Sequence, residues 1–209
     1  MDIKISIKSM GVYFIIPFLI NDIMVPFFIL LIRIYGSAYN LDQGVYIINQ
    51  MFTPFLAAFW IYLHMTKYID AKGNELFYIV QRNKLSDVVK LYLLYMVTNT
   101  PFFVWYISMN KKYALEWLHI TIVALLFVSS AYFFCYLFKS ISLALIPSFI
   151  YLIASVTGLN DFLKKISFYE TTGMKKTQIF TKYIYFLAIA FIFIMLGNIL
   201  NKRYEDYNK

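Results

Sequence analysis

The sequence predicts an all-α membrane protein with a single transmembrane domain covering residues 1–209. Hydrophobic residues make up 61% of the 209 residues and charged residues only 14%, which is far from the balance of a soluble globular chain. Apolar runs recur at lengths close to the about 20 residues that a helix needs to cross a bilayer. The chain length suits one compact domain better than two.

Six such runs are present, and we expect each to form a transmembrane helix. The boundary between the fourth and fifth runs rests on little more than Lys139 and Ser140. All five prolines lie inside the runs, where kinks are tolerated because neighbouring helices can satisfy the freed backbone groups. The predicted spans are residues 11–34, 45–68, 88–108, 115–138, 141–157 and 179–200.

The distribution of Lys and Arg predicts that both termini are cytoplasmic. With the amino terminus inside, eleven basic residues fall on the inner side and eight on the outer side, in the sense of the positive-inside rule. Five of the outer eight belong to one connection, residues 158–182. The net charge of +8 is then explained by topology and by contacts to membrane lipids. Nucleic-acid binding is not expected, because no basic soluble domain carries the charge.

The connection between the second and third spans is predicted to hold a short amphipathic helix. Asn74 can cap its start, and Glu75 suits the positive end of the helix dipole. Leu76 and Ile79 fall on one face, with Arg82 elsewhere. A cytoplasmic helix at this place predicts a docking surface for another protein. The alternative is a helix that lies on the inner leaflet and binds lipid phosphates through the lysines around it.

A second amphipathic segment precedes the sixth span. Leu159, Phe162, Leu163 and Ile166 form an apolar stripe at helical spacing, so we expect residues 160–170 to form a helix lying in the outer membrane interface. Phe162 and Ile166 are candidate contacts for an amphiphilic molecule on its way outward. The alternative is a solvated loop with incidental hydrophobic residues.

Charged residues within spans are costly and usually functional. Asp22 lies midway along the first span beside Asn21. It either lines a pathway or an interface between subunits, or makes a buried structural hydrogen bond. Glu116 lies close to an end of the fourth span beside Trp117, and we expect it at the membrane interface. With only two histidines and no His-Glu-x-x-His motif, neither a metal site nor a catalytic residue is expected.

The fifth span carries a stripe of small residues, which allow helices to approach closely. Two interpretations of this stripe stay open. It forms a contact between two chains, together with the first span, or it packs within the chain. The residues concerned are Ser140, Ala144, Ser148 and Ser155.

The predicted layout resembles the permeases of type-2 ABC exporters, the ABC-2 family. Those permeases have six spans, both termini inside, a short helix after span two and an interfacial helix before span six. The stretch Lys-Gly-Asn-Glu-Leu-Phe at residues 72–77, followed by Arg82, Leu85 and Lys90, is similar to the family's segment after span two. There a Gly-x-Glu core is followed by an Arg and a Lys at similar spacing, and Thr often stands where this chain has Asn74.

The resemblance implies that the segment after span two is a coupling helix seated in a groove of a cytoplasmic ABC ATPase subunit. This sequence has no Gly-x4-Gly-Lys-Ser/Thr loop, so ATP and Mg are expected on that partner and no cofactor in this chain. A second permease copy, or a homologous permease, is the other expected protein partner. The implied docking residues are Gly73, with Glu75 and Arg82 for polar contacts, and Leu76, Phe77 and Ile79 for apolar contacts.

The function implied by the resemblance is the transmembrane subunit of an ATP-driven exporter in a bacterial cell membrane. Its substrate would be amphiphilic, such as a peptide toxin or an antimicrobial peptide, and the small size favours peptide export or self-immunity. The alternative is a non-transporting membrane immunity or adaptor protein, which would have no ATPase partner. An intramembrane enzyme is less favoured, because it needs a set of catalytic groups in the membrane and only Asp22 lies deep in a span.

Overall fold

The computed structural model describes Ile7 and residues 10–71, 84–157, 166–170 and 176–207. Within these ranges the chain is helical apart from short connections and contains no strand, which confirms the all-α prediction. Five of the helices are long and apolar enough to cross a membrane. The helices are α1 (Gly11–Tyr35), α2 (Ala38–Ile69), α3 (Lys84–Met109), α4 (Tyr113–Phe138), α5 (Ile141–Thr157) and α6, which runs continuously through Lys176–Gln178, Ile179–Tyr183 and Ile184–Tyr207.

The helix α5 has the predicted ends but only 17 residues, at the lower limit of a transmembrane helix. It is separated from α4 by Lys139, which adopts a left-handed conformation with φ of 51° and donates its backbone N–H to Cys135 O at 3.1 Å. This turn ends α4 between the fourth and fifth apolar runs, where hydropathy alone hardly separates the two helices. Five predicted spans are thus confirmed as long apolar helices, and a full crossing by α5 stays a prediction.

The first helix is irregular at its centre. A 3₁₀ turn at Gly11–Phe14 and a short α segment lead into a π-helical segment at Leu19–Met24, before α-helix resumes at Val25–Tyr35. Pro26 follows the π-helical segment and has no N–H for the bond to Asp22 O that a regular α-helix would make. The wider turn buries the adjacent Asn21 and Asp22, which are 3% and 5% exposed.

The helix α2 begins earlier than hydropathy predicts. Its first residue is Ala38 instead of residue 45, and Ser37 caps it by accepting the Asn40 N–H on Oγ at 3.2 Å. Residues 38–44 include Asn40, Asp42 and Gln43, so an apolar window excludes them even though they are helical. Hydropathy therefore locates the membrane-embedded part of a helix and misses its polar ends.

The fourth helix is the centre of the bundle. It packs against α2, α3, α5 and α6, and its buried residues lie on all its faces, as expected for a helix that is apolar all round. Helix α6 approaches α4 closely at Gly197, where a Cβ atom would lie 2.6 Å from the Tyr132 ring. A larger residue at this position would force the two helices apart.

The connection before α6 differs in part from the prediction. Ile166 is helical, but residues 167–170 are not, so the predicted helix over 160–170 extends too far at its carboxyl end. Residues 158–165 lie outside the described part of the chain. Ser167 explains the end of the helix, because its Oγ donates to Ser155 O at 2.9 Å and accepts the Tyr169 N–H at 2.9 Å. These bonds attach the segment to the end of α5.

Candidate functional site

Buried polar side chains gather where α2 ends and α3 begins. They come from α2, α3 and α6, and each is at most 9% exposed. The cluster borders residues 72–83, the predicted coupling segment, which lies outside the described residues. We call this cluster the Lys84 junction, formed by His64, Lys67, Tyr68, Lys84, Asp87 and Asn201.

The described contacts of the Lys84 junction are mostly between charges and a ring. Lys67 Nζ and Lys84 Nζ lie 4.8 Å and 5.6 Å from the centre of the Tyr68 ring, within the range of a cation–π interaction. Lys84 Nζ also donates to Asn201 Oδ1 at 3.2 Å. One lysine thereby connects the start of α3 with the ends of α2 and α6.

A histidine and a carboxylate complete the Lys84 junction. His64 Nε2 lies 3.8 Å from Asp87 Oδ2, which is too long for a hydrogen bond. The Asp87 carboxylate is also close enough to Lys67 for charge attraction, and Lys67 Nζ has no hydrogen-bond acceptor among the described residues. Tyr68, Lys84, Asp87 and Asn201 make further interactions besides these.

A second buried cluster lies toward the end of the bundle where α4 begins. Gln50 Nε2 donates to Glu116 Oε1 at 2.8 Å and to Glu170 O at 3.1 Å, and Gln50 Oε1 accepts the Glu170 N–H at 2.8 Å. His119 Nδ1 lies 3.2 Å from Glu116 Oε1, and Lys182 Nζ donates to Glu170 Oε1 at 2.8 Å. We call these five residues the Gln50 junction; their hydrogen bonds fix Glu170 to α2 and α6 and connect it through Gln50 with α4.

The burial of Glu116 corrects a prediction. We expected it at the membrane interface, but its side chain is 0% exposed. Gln50 and His119 supply the polar contacts that the interface would have supplied, while the neighbouring Trp117 packs on Phe103 with ring centres 4.6 Å apart. Glu116 Oε2 and His119 Nε2 have no hydrogen-bond partner within the described residues.

The two polar residues of the first span take part in a third network. Asn21 Oδ1 accepts the Thr53 hydroxyl at 2.9 Å, and Asn21 Nδ2 donates to Asn99 Oδ1 and, at 3.2 Å, to Asp22 Oδ1. Tyr95 OH donates to Thr53 O at 2.9 Å. This network connects α1, α2 and α3 in the middle of the bundle.

Asp22 therefore lies inside the chain and not on the exposed face of α1. Its Oδ1 contact to Asn21 fits the structural interpretation. Its Oδ2 is buried without a hydrogen-bond partner in the described part of the chain, and the nearby Thr98 hydroxyl donates to Tyr95 O at 2.9 Å. The interpretation as part of a pathway or interface stays a prediction.

The small-residue stripe of α5 lies against α2 and α4 within the chain. Ala144, Ser148 and Ser155 are at most 4% exposed. Tyr62 OH of α2 donates to Ala144 O at 3.0 Å and lies 2.7 Å from Ser148 Oγ. Packing within the chain accounts for these three residues, so they are not available as a contact between two chains.

Of the predicted site residues, Asp22 and Ile166 lie in the described part. Ile166 is 40% exposed, and its carbonyl accepts a hydrogen bond from Tyr151 OH at 2.8 Å. No group of three or more His, Cys, Asp or Glu that could hold a metal ion occurs in the described ranges. The predicted residues that lie outside them are Gly73, Glu75, Leu76, Phe77, Ile79, Arg82 and Phe162.

Comparisons with protein-family models, with curated proteins and with solved structures found no match. The resemblance to ABC-2 permeases therefore rests on the residues after span two and on the layout of the predicted spans.

The Gln50 junction was missed as a site. Glu116 and His119 are three residues apart, a spacing that places two side chains on one face of a helix, and this pattern is visible in the sequence. Gln50 and Glu170 are separated from each other by 120 residues, and no local pattern connects them with α4.

Proposed function

We propose that this chain is the transmembrane subunit of an ATP-driven exporter of the ABC-2 type. It would act in a bacterial cell membrane, with both termini cytoplasmic, beside a second permease copy or a homologous permease. Its substrate would be amphiphilic, such as a peptide toxin or an antimicrobial peptide. The observation that carries the proposal is the position of the Lys84 junction. It contains residues of α2 and α3, the two helices that flank the predicted coupling segment, and it also includes Asn201 of α6.

The predicted coupling segment connects α2 with α3. Residues 72–83 follow the end of α2 and precede Lys84, the first residue of α3. A force applied to the segment by an ATPase would reach α2 and α3 directly. It would also reach α6, because Lys84 bonds to Asn201. Glu75 and Arg82 would supply the polar contacts to the ATPase, with Gly73, Leu76, Phe77 and Ile79 forming the rest of the docking surface.

The decisive experiment is purification of the full chain from its native membrane in mild detergent. We expect an ATPase with a Gly-x4-Gly-Lys-Ser/Thr loop to co-purify and to hydrolyse ATP in the complex. In the double variant Glu75→Gln and Arg82→Gln, the amount of bound ATPase should fall. A stable, folded chain with which no ATPase co-purifies would contradict the proposal and favour the non-transporting immunity or adaptor protein.

A matched control is available on the far side of the bundle. Lys112 Nζ pairs with Asp42, and these side chains are 40% and 33% exposed. Like Glu75 and Arg82, the two residues have opposite charges that sum to zero. The double variant Asp42→Asn and Lys112→Gln should leave the bound ATPase unchanged. Equal losses in both double variants would show that charge removal weakens the complex without any specific role of the coupling segment.

A further inference from the structure

A cavity of about 320 Å³ lies between α4, α5 and α6. Both α5 and α6 pack against α4, and the cavity separates α5 from α6. Its volume falls at the lower end of the range for small-ligand pockets. The lining is predominantly aromatic and aliphatic, with Phe127, Phe134, Tyr151, Ile166, Phe186 and Phe193 among the residues.

The three hydroxyl groups of the described lining residues already have partners. Ser130 Oγ donates to Phe127 O at 2.9 Å, and Tyr151 OH donates to Ile166 O at 2.8 Å. Ser148 Oγ lies 2.7 Å from Tyr62 OH. No charged residue is among the lining residues that the structure describes. A ligand that fits must therefore be apolar along the length that it buries, since a buried polar group without a partner is costly.

The cavity has a buried floor and an exposed rim. Phe127 and Phe186 on the floor are 1% and 5% exposed, while Ile166 and Ile189 on the rim are each 40% exposed. Ile150, which precedes the lining residue Tyr151 in α5, is 62% exposed. Such apolar surfaces of a membrane-spanning chain meet lipid, so the rim opens sideways toward the bilayer.

We propose that this cavity binds the acyl chain of a membrane phospholipid. An acyl chain in the cavity would make close van der Waals contacts with its apolar lining, which offers water too few hydrogen-bond partners. A peptide would bring backbone amide groups that need hydrogen-bond partners, and the hydroxyls of the lining are engaged. An acyl chain brings no polar group and is present at the rim. This binding site does not depend on the proposed transport function.

Photocrosslinking tests the proposal directly. The full chain is produced with p-azidophenylalanine in place of Phe186 and reconstituted into nanodiscs of dioleoyl phosphatidylcholine and dioleoyl phosphatidylglycerol. After irradiation, intact-protein mass spectrometry measures the mass of any adduct. Phe191, which is 58% exposed on α6, serves as the positive control, and Phe103, which is 2% exposed and outside the cavity, as the negative control. We expect a phospholipid adduct at positions 186 and 191 and none at position 103.

A second variant shows whether the lipid enters through the rim. Ile189→Trp enlarges a partly exposed rim residue without changing the floor, so the chain should still fold and still be labelled at position 191. The adduct at position 186 should then fall to the level at position 103. Labelling at 186 no stronger than at 103, or a crosslink from 186 only to the protein itself, would overturn the proposal. A peptide adduct in place of phospholipid would overturn it as well.

Discussion

The two buried polar junctions lie about 20 Å apart along α2, since 14 residues separate Gln50 from His64 at about 1.5 Å each, and they are built differently. In the Gln50 junction, an amide makes three hydrogen bonds of 2.8–3.1 Å, two of them to backbone atoms of Glu170. In the Lys84 junction, two lysines lie near one ring. Lys84 Nζ donates to Asn201 Oδ1 at 3.2 Å, His64 Nε2 lies 3.8 Å from Asp87 Oδ2, and Lys84, Asp87 and Asn201 make further interactions.

This difference indicates two mechanical roles. Short bonds from a side chain to backbone atoms define both distance and direction, so the Gln50 junction holds Glu170 in one place. Lysine chains are flexible, and a cation over a ring tolerates small displacements. We therefore expect the end of the bundle at the Gln50 junction, near the first turn of α4, to be rigid. At the Lys84 junction, we expect α2, α3 and α6 to shift slightly relative to one another without losing their contacts.

The largest expected effect is the loss of the central amide. Gln50→Leu removes three hydrogen bonds and leaves the buried Glu116 carboxylate and the Glu170 N–H without this partner. It should lower the free energy of unfolding by about 3 kcal/mol. Denaturant titration in detergent, followed by circular dichroism, measures this change. Asn40→Leu, which replaces an exposed amide on the same helix, should change it by less than about 0.5 kcal/mol. Similar losses in the two variants would refute the rigid role of Gln50.

Two double-mutant cycles compare the junctions on one scale. The coupling between Gln50→Leu and Glu116→Leu should be about 2 kcal/mol, because this bond is short, buried and involves a carboxylate. The coupling between Lys84→Met and Asn201→Leu should be about 1 kcal/mol, because that bond is longer and the lysine has other contacts. Equal coupling energies would remove the distinction between a rigid and an adjustable junction.

The smallest expected effect is the coupling energy between Lys182 and Glu170, which tests whether this pair belongs to the rigid part of the Gln50 junction. Lys182 and Glu170 form its outermost pair, and their side chains are 20% and 18% exposed. The coupling between Lys182→Met and Glu170→Gln should stay below about 1 kcal/mol and weaken as salt is added. The Gln50–Glu116 coupling provides the internal control, because a buried pair is screened much less. A salt-independent Lys182–Glu170 coupling would place this pair inside the rigid core.

The extent of each membrane-embedded helix was largely predictable, and the polar ends were not. The ends of α5 follow from Lys139 and Ser140 on one side and from the end of its apolar run on the other. Ala38 could not be identified as the start of α2 from hydropathy, because the cap at Ser37 and the polar contacts of Asp42 to Lys112 and Tyr113 matter there more than apolar character.

The buried polar residues show more clearly what sequence patterns alone cannot predict. Asp22 was recognised from its place in an apolar run, because a charge there is exceptional. Glu116 was assigned to the interface, since its local neighbours are those of a helix end and its main partner, Gln50, is 66 residues away. Sequence patterns show that a polar group is present in a span, whereas the partner that permits its burial is a property of the tertiary structure.

The shortness of α5 has a consequence for the surrounding lipid. A helix of 17 residues is about 25 Å long, less than the about 30 Å of a typical hydrocarbon core. If α5 crosses the membrane, the bilayer beside it must become thinner or its flanking residues must reach toward the headgroups, at a cost that rises with each ångström of hydrophobic mismatch. The protein should therefore be more stable in bilayers of short-chain lipids, and it would tend to accumulate where the membrane is thin.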